Sequence, residues 1–197
     1  MTKKRIGIIG NGHVGSALAR GLKTAGHEVR ATGKEKVQET VLWADVVILA
    51  VPFVVIDGVL KEAGGSVDGK TLVDATNALG PDMQWAIGFT TSGAEELQKK
   101  ALKARVVKAF NTVFAQHMDT GRLGDKQLTA FVAGDDAGAK SGVLELARDI
   151  GFDAVDAGPL ANARLLEPLG YLNIRLGHGL GMGTQIGFKL LHDLKAT

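Results

Sequence analysis

The chain has 197 residues, of which 45% are hydrophobic and 22% charged, a balance typical of one soluble globular unit with a single sizeable core. It contains no cysteine, which excludes disulfides, cysteine-ligated metals and thiol catalysis and suits a reducing cytoplasm. The net charge of +2 gives no reason to expect nucleic acid as a partner, and the longest apolar run, residues 46–56, is too short to span a membrane and is interrupted by Pro52. We therefore expect a cytoplasmic protein with small-molecule partners.

The N-terminal stretch passes from an apolar run through glycines into a helical pattern. Residues 6–9 predict a buried parallel strand, and small or apolar residues at helical spacing from Val14 onward predict a helix. Gly10, Gly12 and Gly15 fit the pattern G-x-G-x-x-G at this junction, where the three glycines allow a tight turn, a close approach of pyrophosphate and close packing of helix on strand. The helix N-terminus would bind the phosphates, with His13 facing them. The alternative is a glycine-rich turn with no ligand.

The end of the second predicted strand, residues 27–32, indicates which dinucleotide binds. An NAD-binding fold has an acidic residue there, whereas an NADP-binding fold has small, hydroxyl and basic residues. This strand ends in Thr32-Gly33-Lys34, with Lys36 close by, and so favours NADP. Glu35 lies at the right distance to be the acidic residue, but we expect it in the first turn of a helix over residues 34–43, where the helix dipole favours it. Surface lysines without a ligand are the alternative.

The next two predicted strands should also end at the ligand. Ligands of open α/β sheets lie outside the carboxyl ends of the strands. The strand at residues 45–51 is followed by a helix ending near residues 64–65, and we expect its end to border the dinucleotide through Val51, Pro52 and Phe53. The strand at residues 71–75 leads to Asn77, whose amide could bind the cofactor at the same rim.

The rest of the chain completes a doubly wound, mostly parallel Rossmann sheet over residues 1–158, with a helical segment over residues 159–197 packed on it. A helix is predicted from Ser92 to about Lys103, with a Ser92–Glu95 capping box. The next predicted strand covers residues 105–110, and the residues that follow it, 111–115, are expected at the ligand rim. A strand at 128–134, a helix at 136–150 capped by Asp135 and a strand at 152–158 complete the sheet. Gly179, Gly183 and Gly187 would share one face of the last helix, approached by another helix, a partner subunit or a flat ring ligand.

The polar residues indicate no side-chain catalysis. The five histidines show no metal-binding spacing, and no Ser-His-Asp or nucleophile-elbow pattern is present. His117 and His178 could lie at the rim, although structural roles are commoner. We expect Asp74 to act as a cap, and Arg164 and Glu167 to form an ion pair within one helix.

Several of these segments resemble a known family, the NADP-dependent oxidoreductases of the deazaflavin coenzyme F420. The resemblance runs nearly end to end and rests on the glycine loop, on Ala109-Phe110-Asn111-Thr112, on residues 156–167 (DAGPLANARLLE), and on residues 181–183 and 186–189. It implies a Rossmann domain with a small C-terminal helical part, a homodimer, and direct hydride transfer between the nicotinamide and a deazaflavin.

The resemblance also implies which residues bind the cofactor. By position, the pyrophosphate would contact Gly10, Asn11, Gly12, His13 and Val14; the 2′-phosphate would contact Thr32, Gly33 and Lys34; and the nicotinamide would be bordered by Val51, Pro52 and Ala115. The chain departs from the family at residues 33–35 (usually Ser-Arg-Arg) and 111–114 (usually His-Thr-Ile-Pro), and a strand and turn before Asp45 are missing.

Three functions are consistent with the sequence. The first is hydride transfer between NADP(H) and coenzyme F420 or a flavin. The second, reduction of a small imine or hydroxy acid, usually needs a larger helical substrate domain than the roughly 40 residues left after the last strand. The third is a non-catalytic NADP-binding module that senses redox state or docks on a partner.

Overall fold

The computed structural model describes residues 3–81, 83–87 and 89–191, which form a twisted sheet covered by helices on both faces. The strands are β1 (Arg5–Ile9), β2 (Glu28–Thr32), β3 (Val46–Leu49), β4 (Thr71–Asp74), β5 (Arg105–Lys108), β6 (Arg122–Leu123), β7 (Lys126–Gln127), β8 (Thr129–Gly134) and β9 (Asp153–Asp156). The helices are α1 (His13–Thr24), α2 (Val37–Trp43), α3 (Ile56–Ala63), α4 (Gly93–Lys100), α5 (Ala137–Ile150) and α6 (Ala163–Ile174).

The main sheet has seven strands in the order β2-β1-β3-β4-β5-β8-β9, with β6 and β7 forming a separate hairpin. Strands β1 to β5 are parallel, β8 runs antiparallel to β5, and β9 runs parallel to β8. The prediction of a mostly parallel Rossmann sheet is confirmed. Because the first five strands are parallel, their carboxyl ends lie along one edge of the sheet, which we call the rim.

Two apolar clusters cover the two faces of the sheet. Successive residues of a strand point to opposite faces, and accordingly Ile8 and Ile48 belong to the cluster under α1 and α5, whereas Ile9 and Leu49 belong to the cluster under α2, α3 and α4. Ala163 at the start of α6 joins the second cluster. The rim therefore stands on strands that are buried on both sides. Of the helices that the structure describes, none is both long enough and apolar enough to cross a bilayer.

Two helix starts differ from prediction. Helix α2 begins at Val37 rather than residue 34, because Lys36 has a left-handed backbone conformation (φ 63°) that a helix cannot include. Helix α5 is capped by Asp136, whose carboxylate accepts from the Ala139 N–H at 2.7 Å. The predicted cap, Asp135, instead accepts from the backbone N–H of Leu160 at 2.9 Å.

The C-terminal segment is helical only in its first half. Helix α6 continues into one turn of π-helix, Arg175–Gly179, and the chain from residue 180 to residue 191 is not helical. The helix ends at Gly179, and Gly181 and Gly183 beyond it have positive φ values of 75° and 74°, so the prediction of three glycines on one helix face is wrong. The tail then crosses the start of β8, where Phe188 O accepts from the Thr129 N–H at 3.0 Å. Residues 192–197 of the predicted helical segment lie outside the described residues.

Candidate functional site

Two of the three motif glycines are required by the fold itself. Gly10 has a φ of 117°, and a Cβ there would lie 2.2 Å from the Ala50 carbonyl oxygen. A Cβ on Gly15 would lie 1.9 Å from the Gly10 carbonyl oxygen, so only glycine lets α1 lie this close to the turn. The turn is also joined to β2, because the Gly10 N–H donates to Thr32 O at 2.8 Å.

Gly12 is different, because the fold does not need a glycine there. Its backbone is extended (φ −72°, ψ −166°), and a Cβ would have no neighbour within 4 Å. Gly12 is the N-cap of α1, and no side chain in the described part of the protein caps this helix. Asn11, Gly12 and His13 are exposed around it. An uncapped helix N-terminus beside open space is suited to an anion such as a diphosphate.

A cavity of about 520 Å³ adjoins this loop at the end of β2. It is lined by Asn11, Ala31 and residues 32–36. Gly33 lies against the Asn11 side chain, and the Thr32 hydroxyl donates to the Glu35 carbonyl. The prediction that Glu35 lies in the first turn of a helix is wrong: Glu35 lies in the loop before α2 and lines the same cavity as Lys34 and Lys36. Because two lysines and one glutamate line the cavity, its lining carries a net positive charge.

The end of β3 separates the three residues predicted to border the dinucleotide. Val51 is half-buried beside the glycine loop, its Cγ1 lying 3.1 Å from where a Cβ on Gly10 would be, and Pro52 is exposed. The Phe53 ring lies against Gly93 at the start of α4 and lines a cavity of about 100 Å³ between α3 and α4. Whether Phe53 also contacts a cofactor stays a prediction.

At the ends of β4 and β5, two asparagines bind each other and α6. The Asn77 Nδ2 donates to Asn111 O, and the Asn111 Nδ2 donates to Asn77 Oδ1, both at 3.0 Å. The Asn111 Nδ2 also donates to Leu166 O at 2.8 Å. Gly170 makes this packing possible, because a Cβ there would lie 2.5 Å from Asn77 Oδ1. The Asn77 amide thus joins the rim to α6, and its contact with a cofactor is untested.

Ala115 and His117 follow β5, and His178 lies in the π-helical turn after α6. Ala115 is half-buried and begins one turn of 3₁₀-helix that ends at His117. His117 is buried, and its Nε2–H donates to the Thr184 carbonyl at 3.0 Å. His178 is exposed and meets Phe114 edge to face, with ring centroids 5.4 Å apart. Both histidines therefore make structural contacts.

A buried ionic cluster lies below the rim, and sequence reasoning missed it. The Lys108 ammonium is 2.9 Å from carboxylate oxygens of both Asp74 and Glu167, and all three side chains are fully buried. Burial lowers the pKa of Lys108, but attraction to the two carboxylates outweighs it and raises the pKa. The sequence feature that could have revealed the cluster is the lysine itself, because it interrupts the apolar run Val106-Val107-Lys108-Ala109-Phe110.

The prediction of an ion pair between Arg164 and Glu167 is wrong. Arg164 instead makes a bidentate contact with Glu95 of α4, at 2.6 and 2.8 Å. Hydrogen bonding from the guanidinium lowers the pKa of Glu95, against the opposing effect of burial. Ser92 does cap α4 as predicted, because its Oγ accepts from the Glu95 N–H.

Comparison with known proteins identifies several similar chains. A family model described as "NADP oxidoreductase coenzyme F420-dependent" matches residues 5–41 and 34–78, which run from β1 to just beyond Asn77. The solved structure of a candidate F420-dependent NADP-reductase from Arthrobacter sp. FB24 has a TM-score of 0.87 at 30% identity, covering 96% of this chain and 100% of that one. A hypothetical protein, SMa0349 from Sinorhizobium meliloti, has a TM-score of 0.73 at 28% identity, covering 98% and 97%.

A curated relative is much longer. Metalloreductase STEAP3 of Rattus norvegicus is 30% identical over 180 residues, which cover 84% of this chain but 36% of that protein. This chain thus spans about a third of the length of that relative.

Proposed function

The chain belongs to the family of coenzyme F420-dependent NADP oxidoreductases, and we propose that it transfers a hydride directly between NADP(H) and a deazaflavin or flavin-like acceptor. The observation that carries the proposal is the open space at Gly12, at the uncapped start of α1, directly after Asn11, which lines the lysine-containing cavity. The choice of a deazaflavin or flavin as the acceptor is inferred from membership in this family.

The residues present fit NADP(H). The first turn of α1 would bind the diphosphate through its backbone N–H groups. Gly12 leaves space for the diphosphate beside these groups, and a side chain at this position would fill that space. Lys34 and Lys36 would bind the 2′-phosphate, with Thr32 and Gly33 beneath it. Glu35 in the same cavity would repel a phosphate, so we expect a moderate preference for NADPH over NADH.

The chemistry needs little from the protein beyond orientation. The bound nicotinamide supplies or accepts the hydride. Val51 and Ala115 would border its ring, and Phe114, which packs on Gly177, would help to exclude water from the reacting face. Asn77 and Asn111 are engaged with each other, and His117 donates to a backbone carbonyl, so none of these side chains is assigned a proton-transfer role.

We also propose that the protein is a homodimer. The outward side of α6 exposes Leu165 and Leu172, seven residues apart and therefore on one face of the helix, at 68% and 49% exposure. Light scattering of the purified protein would give the mass of a dimer, and the mass of a monomer at micromolar concentration would contradict this proposal.

An anaerobic acceptor screen tests the function directly. NADPH oxidation is followed at 340 nm with coenzyme F420, FMN, FAD and a quinone as separate acceptors, and a cyclic imine serves as the control for imine reduction. We expect turnover with a deazaflavin or flavin. NADPH binding without turnover for any acceptor would favour the non-catalytic NADP-binding module, and turnover of the imine alone would favour a small-substrate reductase.

A further inference from the structure

The cluster around Lys108 joins five parts of the fold. The Lys108 Nζ donates to Asp74 Oδ2 at the end of β4, to the Thr76 carbonyl just beyond it, and to Glu167 Oε1 on α6, at 2.9, 2.6 and 2.9 Å. Glu167 in turn accepts from the Gly93 and Ala94 N–H groups at the start of α4. The three donors of the ammonium therefore each have an acceptor.

The charge of this cluster suggests a role in orientation rather than stability. One ammonium and two carboxylates give a buried net charge of −1, which the positive end of α4 partly offsets. Removing three charged groups from water costs free energy, and apolar residues of similar volume often hold a core together equally well or better. A fully bonded ionic cluster differs from an apolar contact because its hydrogen bonds fix directions as well as distances.

The cluster fixes the backbone at the rim. Thr76 is bonded on both sides, its N–H to Asp74 Oδ1 at 2.9 Å and its carbonyl to Lys108. The following residue, Asn77, is paired with Asn111, and Asn111 donates to Leu166 O, one residue before Glu167 on α6. A short chain of hydrogen bonds thus runs from the strand ends to α6, and Lys108 binds the residue at each end of it, Thr76 and Glu167.

Helix α6 carries residues that face other parts of the rim. Further along it, the Asn173 Nδ2 donates to Thr112 O at 3.2 Å, and Gly177 in the turn that follows packs on the Phe114 ring. Tyr171 lies against Trp85 of the β4–α4 connection, with ring centroids 5.6 Å apart. A change in the position of α6 would therefore move the segments that border the acceptor side of the site.

We propose that Lys108 is a positioning residue for the hydride acceptor: through Thr76 and Glu167 it holds α6 at the distance from the rim that the acceptor ring requires. This inference rests on the proposed function and assigns the residue a part in it. The bonds of the cluster run to β4, β5, α4 and α6, whereas the residues proposed to bind the diphosphate and the 2′-phosphate of NADPH lie at β1, β2 and α1. Loss of Lys108 should therefore affect the acceptor far more than NADPH.

The test compares Lys108→Met with a matched lysine elsewhere. Lys140 also pairs with a carboxylate, Asp156 at 2.9 Å, and donates to a carbonyl, Gly158 O at 3.1 Å, so Lys140→Met removes the same kinds of contact away from the rim. We expect Lys108→Met to raise the KM for FMN or coenzyme F420 about tenfold or more, since small misplacements in a reacting pair are costly. The Kd for NADPH should change less than about twofold, and Lys140→Met should change neither quantity.

A second readout does not depend on turnover. In a Trp43→Phe background Trp85 is the only tryptophan, and its emission reports its contact with Tyr171 of α6. Lys108→Met should shift this emission to longer wavelength in the native state, whereas Lys140→Met should not. If the wild-type protein transfers hydride to no acceptor, the proposed function fails, while the emission still decides whether Lys108 positions α6.

Two results would overturn the inference. One is an unchanged emission and acceptor KM in a folded Lys108→Met protein. The other is an equal loss of NADPH and acceptor affinity, which indicates general loosening. If Lys108→Met does not fold because two carboxylates are left uncompensated, the neutral combination of Lys108→Met, Asp74→Asn and Glu167→Gln removes those charges, and the same two outcomes apply to it.

Discussion

Replacing Gly12 by valine should weaken nucleotide binding at least about a hundredfold and leave the fold intact. A Cβ at this position meets no atom within 4 Å, and the extended backbone suits a β-branched residue. Valine is a poorer N-cap than glycine, but the loss of glycine also reduces the entropy of the unfolded chain. These effects oppose each other, so we expect the free energy of unfolding to change by less than about 1 kcal/mol.

The effect on binding should be much larger than the effect on stability. The valine side chain would fill the space next to the α1 N–H groups and displace the diphosphate from them. A hydrogen bond to a charged group contributes about 1.5–3 kcal/mol, so losing two of them costs about 3–6 kcal/mol, which is roughly 10²- to 10⁴-fold in Kd. Calorimetric titration with NADPH measures the affinity, and urea denaturation measures the stability.

Gly15→Ala provides the opposite case within the same motif. Its Cβ would lie 1.9 Å from the Gly10 carbonyl oxygen, and overpacking of this kind costs about 3 kcal/mol at its upper range. The gain of about 1 kcal/mol from replacing a helical glycine by alanine reduces this to a net loss of about 2 kcal/mol. Gly58→Val, at an exposed glycine with no atom within 4 Å of its Cβ, is the control for both measurements.

Normal NADPH binding by Gly12→Val would refute this reasoning and place the ligand elsewhere. A fully stable Gly15→Ala protein would show that α1 can move away from the turn, and the steric role assigned to that glycine would be wrong.

Three further predictions concern specificity, pH and stability. Lys34→Ala should weaken NADPH binding about tenfold and leave NADH binding unchanged in calorimetry; equal losses for both nucleotides would mean that Lys34 does not contact the 2′-phosphate. Arg164→Met should lower the midpoint of urea denaturation only slightly at neutral pH, because the partly exposed guanidinium is screened by solvent. Because the pKa of Glu95 is lowered in the folded protein, this contribution is complete above the unfolded pKa of the carboxyl group and is lost as the pH falls through the lowered pKa, so a difference that does not shrink on acidification would contradict the assignment. His27→Ala should cost about 2–3 kcal/mol, since its buried ring bonds Asp149 at 3.1 Å, whereas a loss below about 0.5 kcal/mol would show that the bond contributes little.

The sequence alone determined the parallel strands and the geometry of the glycine loop. Strand periodicity and the glycine spacing are local properties, because each depends on residues only a few positions apart. The parallel strands, the turn at Gly10 and the close packing at Gly15 were therefore all predicted correctly. Helix ends were predicted less well, because a single backbone conformation, such as that of Lys36, can move a boundary by several residues.

The tertiary structure decided which polar groups meet. Glu167 has a possible partner three residues away in Arg164, but its bonds go to Lys108 and to Gly93, 59 and 74 residues distant in the chain. The tail beyond residue 180 contacts β8 rather than continuing a helix. Long-range contacts of this kind depend on how strands and helices are arranged in space. The spacing of residues within one segment does not predict that arrangement.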